Sequence, residues 1–340
     1  MEYAQLGSTG TLVSRICLGT ANFGGADSST YEVLGGLGSE AATRLVDVAL
    51  DAGVNFVDTA DSYGFGQSEE MLGTILKGRR DDLVLASKVH NRMGPGPNEV
   101  GQSRIHVLNS LEDTLRRLQT DHVDLYHLHS FDPLTSFEEV LRTLDDVVRQ
   151  GKVRYVGCSN LAAWQVMKAL GVSALRDLEP IVSVQAYYSL VGRDLERELL
   201  PLILDQGLGL TIWSPLAGGL LTGKFTRNGA TEDDARRTRL DFPPVDAERS
   251  LDVIDVLVKV ASNREANPAQ VALSWLLAKQ GVTSVIVGAR KLDQLNDNLE
   301  AVDLVLTESE IAELDEVGLS PPTYPGWLQA YTNSERWPAQ

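Results

Sequence analysis

Cysteine is scarce, with Cys17 and Cys158 the only two in 340 residues. Two thiols supply neither a disulfide framework nor a cysteine-rich zinc site, and a reducing cytoplasm suits such usage. Long apolar runs are missing, and no basic-then-apolar leader opens the chain. The expectation is a soluble, cytoplasmic protein with no membrane span. Positive charge is in deficit: 30 Lys and Arg face 47 Asp and Glu, a formal net charge of −17. This disfavours nucleic acid and anionic membranes as partners, and an anionic cofactor must be met by locally placed cations. Histidine is confined, all five lying between His90 and His129. His127 and His129 share one strand face, as a metal pair would. No later histidine completes a shell, so no metal is expected and His127 reads as a polar interior residue. A dinucleotide fingerprint is absent too. Gly64-Phe65-Gly66 follows a strand but lacks the third glycine, and Gly35–Gly38 follows no strand.

What is present is a sizeable apolar fraction, 43%, and a repeated rhythm of amphipathic helix, Gly or Asp stop, and short apolar strand. Tyr3–Leu6 and Leu12–Arg15 flank a Gly7–Gly10 turn and read as a hairpin, before a first strand at Val13–Leu18. Gly- and Ser-rich Phe23–Gly38 reads as a mobile loop. Helices are expected at Glu40–Ala52, Ser68–Lys77, Ser103–Leu118, Ser136–Gln150, Leu161–Leu170 and Arg193–Gln206. Strands follow them at Asn55–Thr59, Leu83–Val89, Val123–His129, Val153–Cys158, Ile181–Ala186 and Leu208–Trp213. Residues 217–249 break the rhythm and read as a long loop. Helices near Ser250–Asn263 and Pro268–Gln280 precede the last strand, Thr283–Val287, and helices near Lys291–Glu300 and Glu308–Val317 follow it. Eight apolar strands alternating with crossover helices indicate an α/β fold, a (β/α)8 TIM barrel with an N-terminal β-hairpin and extra C-terminal helices. No linker interrupts residues 1–340, so one domain is expected. The tail after Ser320 is too proline-rich for a continuous helix. Its aromatics suit either a cover over the barrel mouth or a subunit contact.

In such barrels the active site gathers at the C-terminal strand ends. Those ends carry Asp58 with Tyr63 just beyond, Lys88, His129, Ser159-Asn160, Gln185 and Trp213-Ser214-Pro215. One polar residue there reads as a satisfied structural group; several at equivalent positions read as a site. A free phenol is a poor acid at neutral pH, and a lysine ammonium beside it favours the phenolate. Asp58 would keep Lys88 charged, and His129 would orient a substrate carbonyl. An acid without a nucleophile suits carbonyl reduction by hydride, with a cofactor supplying the hard step.

The segments G-V-N-F-V-D-T-A-D-S-Y-G, L-A-S-K-V, D-L-Y-H-L-H, G-C-S-N, Q-A-Y-Y-S, W-S-P-L-A-G-G-L-L-T-G-K and V-G-A-R-K-L-D-Q-L-N-D-N resemble, in order and over nearly the whole chain, the aldo-keto reductase family. The branch resembled includes potassium-channel β subunits. The resemblance implies a barrel that binds NADPH without a Rossmann fold, and a tetrad at Asp58, Tyr63, Lys88 and His129. It implies that Ser159, Asn160 and Gln185 hold the nicotinamide carboxamide and that Trp213 stacks on its ring. Ser214, Leu216, Gly218 and Lys224 would line the pyrophosphate, while Arg290, Gln294 and Asn298 meet the adenosine end. Thr20, Pro215 and Gly288 complete the expected cofactor contacts. Arg290, at a helix start and next to Lys291, suits a ribose 2′-phosphate, so NADP(H) is expected over NAD(H). Phe23 and Phe131 follow catalytic-end strands and suit either the substrate wall or packing of the loops. The expected partner is a small-molecule carbonyl compound; the alternative is a cofactor-binding, redox-sensing regulatory subunit with little turnover. Oligomeric state is not legible.

Overall fold

The computed structural model describes residues 1–26, 33, 36–227, 229–230 and 236–334. Half of the expected mobile loop, Phe23–Gly38, and Gly35 with it, lies outside these residues.

Eight parallel strands close into a barrel: β3 (Ile16–Gly19), β4 (Phe56–Asp58), β5 (Val84–Val89), β6 (Val123–Leu128), β7 (Val153–Ser159), β8 (Ile181–Tyr187), β9 (Gly209–Trp213) and β12 (Val282–Val287), with β12 pairing β3. β1 (Tyr3–Gln5) and β2 (Leu12–Ser14) form the antiparallel hairpin ahead of it. The two-residue strand period sorts every barrel strand into an inner and an outer face. Outward residues such as Leu85 and Val89 join the large cluster shared with the helices. Inward residues form a second cluster of Cys17, Phe56, Ala86, Leu125 and Ile286. Leu6 and Val13 of the hairpin belong to this cluster, so the hairpin plugs the end of the barrel where the strands begin. One period further along, the inward positions are Asp58, Lys88 and His127. The apolar plug therefore forms the floor on which the polar layer stands.

The helices named among the described residues are α1 (Ser39–Asp51), α2 (Gln67–Ile75), α3 (Arg104–Leu118), α4 (Phe137–Arg149), α5 (Ala163–Arg176), α6 (Leu199–Gln206), α7 (Arg236–Arg239), α8 (Ala247–Asn263), α9 (Pro268–Leu277), α10 (Leu292–Glu300), α11 (Glu308–Gly318) and α12 (Gly326–Thr332). Ser103 and Ser136 accept from His106 N and Glu139 N and so cap α3 and α4. Two helices differ from the sequence reading. α5 runs through Gly171 to Arg176, since one glycine costs a helix only about 1 kcal/mol. The helix expected from Arg193 splits into a 3-10 turn, Asp194–Arg197, and α6. Pro201 lacks an amide hydrogen and fits only within the first turn of the new helix. The tail after Ser320 is not one continuous helix: residues 321–323 lie outside any helix and a short helix, α12, starts just after Pro325; Tyr324, Trp327 and Tyr331 are exposed. No helix among the described residues is long and apolar enough to cross a membrane.

Within the expected loop at 217–249, the described residues hold a 3-10 turn (Ala217–Thr222), a small hairpin of β10 (Phe225–Thr226) and β11 (Gly229–Ala230), and α7. Positive φ angles at Gly218 and Gly219 turn the chain there.

Candidate active site

Lys88 is the centre of the polar layer. It is wholly buried, and its three ammonium protons meet three acceptors. Nζ donates to Asp58 Oδ1 at 2.5 Å, to Thr59 O at 2.7 Å and to Tyr63 OH at 3.2 Å. Burial by itself lowers the pKa of this ammonium, but Asp58 and Tyr63 outweigh burial and hold it above the ordinary lysine value. The second oxygen of Asp58 accepts from Gln185 Nε2 at 2.8 Å. The chain between Asp58 and Tyr63 is pinned to β5 by Thr59 N–H to Ala86 O (2.9 Å) and Asp61 N–H to Lys88 O (3.3 Å). That pinning brings the phenol back over the lysine.

His129 meets Tyr63 edge-on, with ring centroids 5.9 Å apart. Burial, then the charge of Lys88 and the neighbouring His127 and His90, keep it well below the usual histidine pKa. It is neutral at pH 7. His127, one period below, is fully buried near Ser183 Oγ (3.4 Å), and burial followed by Lys88 lowers it to about 3. It is the polar interior residue that the sequence suggested.

These groups open into a cleft of about 830 Å³, toward the large end of the roughly 300–1,000 Å³ usual for small-molecule sites. Asp58, Tyr63 and His129 line it, as does every expected cofactor residue: Thr20, Ser159, Asn160, Gln185, Trp213, Ser214, Pro215, Leu216, Gly218, Lys224, Gly288, Arg290, Gln294 and Asn298. Ser159 Oγ is buried there with no protein partner, so a polar ligand atom has a place to bond. Asn160 and Ser214 hold left-handed φ angles of 59° and 51°, a local strain that concentrates at binding sites. Asn160 is already engaged on both sides. It donates to His129 O at 2.9 Å and accepts from Trp213 Nε1 at 3.1 Å. The Thr20 hydroxyl bonds Asp58 O at 3.0 Å and accepts from Ser68 Oγ at 2.9 Å. Its side chain thus fastens β3 to β4 while the residue lines the cleft.

Of the two readings open for Phe23 and Phe131, the structure shows packing. Phe23 is 1% exposed and packs in the main core, its backbone bridged to Leu37. Phe131 packs against Phe137 and Trp164, at centroid distances of 5.8 and 6.4 Å, outside the cleft lining. The aromatic wall comes instead from the loop after β9. Phe242 lies parallel to Trp213 at 5.8 Å, and Phe225 and Leu240 line the cleft beside it. These were missed because that loop has no hydrophobic period to read. Asp297 was missed as well; it stands one residue before Asn298 on the same wall.

A second buried cluster lies behind the Tyr63 loop. Glu69 is fully buried, accepts from Ser87 Oγ at 2.5 Å and pairs with Arg117 Nε at 2.7 Å. Asp61 accepts from Ser110 Oγ at 2.8 Å. The Arg116 side chain is 68% exposed, whereas that of the adjacent Arg117 is only 10% exposed.

The Aldo/keto reductase family model matches residues 15–318. An uncharacterized oxidoreductase, YrpG, of Bacillus subtilis is 39% identical over 334 residues, covering 94% of this chain and 97% of its own. A probable voltage-gated potassium channel subunit beta of Arabidopsis thaliana is 36% identical, covering 96% and 99%. Versiconal hemiacetal acetate reductase of Aspergillus parasiticus is 31% identical, covering 96% and 99%. The closed parallel barrel, the buried lysine–aspartate–tyrosine layer and these end-to-end similarities agree: the chain belongs to the aldo/keto reductase family and is an oxidoreductase.

Proposed function

We propose that the protein reduces an aldehyde or ketone to the alcohol, reversibly, with NADPH preferred over NADH. The observation that carries this reading is the contact of Lys88 Nζ with both Asp58 and Tyr63 at the floor of the cleft. When bound, the reduced nicotinamide would supply a hydride from C4. The protein's part is the proton. Lys88 donates in its bond with Tyr63, so the phenol keeps its own proton for transfer. Once Tyr63 gives that proton to the carbonyl oxygen, its oxyanion stays beside a buried ammonium. Asp58 holds the ammonium in place, and neutral His129 offers an N–H to the carbonyl. The two thiols do not compete as nucleophiles: both are buried, and burial raises Cys158 to about 12.

The cofactor-facing residues suit a nicotinamide dinucleotide. Ser159 with its unpartnered Oγ, Asn160 and Gln185 would take the carboxamide. Ser214, Leu216, Gly218 and Lys224 would take the pyrophosphate. Arg290, Gln294 and Asn298 would take the adenosine end. Arg290 beside Lys291 supports NADPH, because a ribose 2′-phosphate pairs well with a guanidinium. Quenching of tryptophan fluorescence by NADPH and NADH tests this, with Trp213 as reporter. NADPH should bind more tightly. Arg290→Ala should weaken NADPH by about tenfold or more and leave NADH nearly unchanged. Equal binding of both would remove the 2′-phosphate argument.

The similarity to proteins named as channel β subunits supports a second reading, a cofactor-binding, redox-sensing regulatory subunit with little turnover. Tight cofactor binding with negligible turnover on a broad aldehyde panel would favour it.

A further inference from the structure

His129 can serve a carbonyl only if its cleft-facing nitrogen carries the proton. A neutral imidazole has one donor nitrogen and one acceptor, and the partner of the first fixes the second. The partner here is Asn91, in the loop after β5. Its Nδ2 stands 3.4 Å from His129 Nδ1 and donates to Ser62 Oγ at 3.1 Å. One amide thereby ties the loop after β5 to the residue before Tyr63 and to the histidine ring. An amide N–H at Nδ1 makes that nitrogen an acceptor, and the proton is left on Nε2. From the backbone side, Asn160 Nδ2 holds the carbonyl of His129 at 2.9 Å, so the residue is anchored at both ends.

We propose that Asn91 is a positioning residue that fixes His129 as the Nε2–H tautomer and so makes it the hydrogen-bond donor to the substrate carbonyl. The catalytic part of this inference rests on the carbonyl-reductase reading; the tautomer part does not. The groups facing His129 are Lys88 from β5, His127 from its own strand, His90 from the loop after β5, and Tyr63 from the loop after β4. Lys88, His127 and His90 all disfavour an imidazolium, so the choice at neutral pH lies between the two neutral tautomers.

The test uses the full-length protein with 15N-labelled histidine, in which long-range 15N–1H correlation spectra separate the tautomers. His129→Gln assigns the His129 signals by their loss. The wild type should show Nε2–H at neutral pH. Asn91→Asp places an acceptor where a donor stood. Its His129 should move to the Nδ1–H or imidazolium form, and a titration should appear nearer the ordinary histidine range. Asn91→Ala should give a mixture of tautomers. Both variants should lose about tenfold or more in kcat for carbonyl reduction with NADPH affinity retained, and Asn91→Gln, which keeps the amide, should recover part of it. An Nδ1–H tautomer in the wild type would overturn the proposal. So would an Asn91→Asp variant whose His129 spectrum and pH–rate profile match the wild type. If no carbonyl is reduced by the wild type while the tautomer responds as stated, the reductase reading fails and the positioning role stands.

Discussion

A buried ion pair is weak evidence for stability and stronger evidence for a task. Lys88 and Asp58 sit where apolar residues would be easier to bury, and both are satisfied: the lysine by three acceptors, the aspartate by Lys88 and Gln185. Lys88→Met would leave the Asp58 carboxylate without its counter-charge. It should cost about 3–5 kcal/mol of stability in denaturant unfolding and abolish turnover. Asp58→Asn added to it should recover much of the stability and none of the activity. Recovery of activity in the double variant would show that the pair is structural. The meeting of Asp58, Tyr63, Lys88 and His129 was legible in the sequence, because strand period and strand end suffice to bring those side chains to one place. Phe23 and Phe131 stayed open between pocket wall and packing because a position after a strand does not say which way the chain turns. Nothing in the sequence marked Asn91, which acts only through the histidine it touches.

At the scale of elements, the barrel strands and most helices were legible from alternating periods and glycine or serine punctuation. What was not legible has local causes. Pro201 reset one helix, Gly171 failed to end another, and the segment after β9 is built on turns rather than a period. Pairing between helices was equally hidden, because charges on a helix face look solvated until a neighbour covers them. The Glu69–Arg117 pair joins α2 to α3 behind the Tyr63 loop, and Ser87 Oγ ties it to β5. Arg117→Met would strand a wholly buried carboxylate and should destabilise the fold by about 3–5 kcal/mol. Glu69→Gln in the same chain should restore part of that. An Arg117→Met variant as stable as wild type would mean that water reaches Glu69.

For the whole molecule, pH couples to stability through Asp61. Burial, reinforced by Glu69, raises its pKa from 3.8 to about 7 despite opposing help from Ser110 and Arg117. Between those values the folded state binds a proton that the unfolded state has released. Asp61 therefore lowers stability progressively as pH rises from 3.8 to about 7, by no more than about 4 kcal/mol in total. His127 acts in the opposite sense: held down to about 3 against an ordinary 6.5, it costs stability as pH falls below 6.5. Denaturant midpoints from pH 4 to 8 should thus rise more steeply with pH in Asp61→Asn than in the wild type. Parallel curves would contradict a proton on buried Asp61.

The central claim is that Tyr63 delivers the proton in a nicotinamide-dependent carbonyl reduction, and Tyr63→Phe tests it most directly. NADPH oxidation should be followed on an aldehyde and ketone panel for wild type and variant, with cofactor affinity measured on the same preparations by tryptophan quenching. The account predicts turnover in the wild type, loss of at least about a hundredfold in kcat for Tyr63→Phe, and nearly unchanged NADPH affinity. A Tyr63→Phe protein that retains full turnover would contradict it.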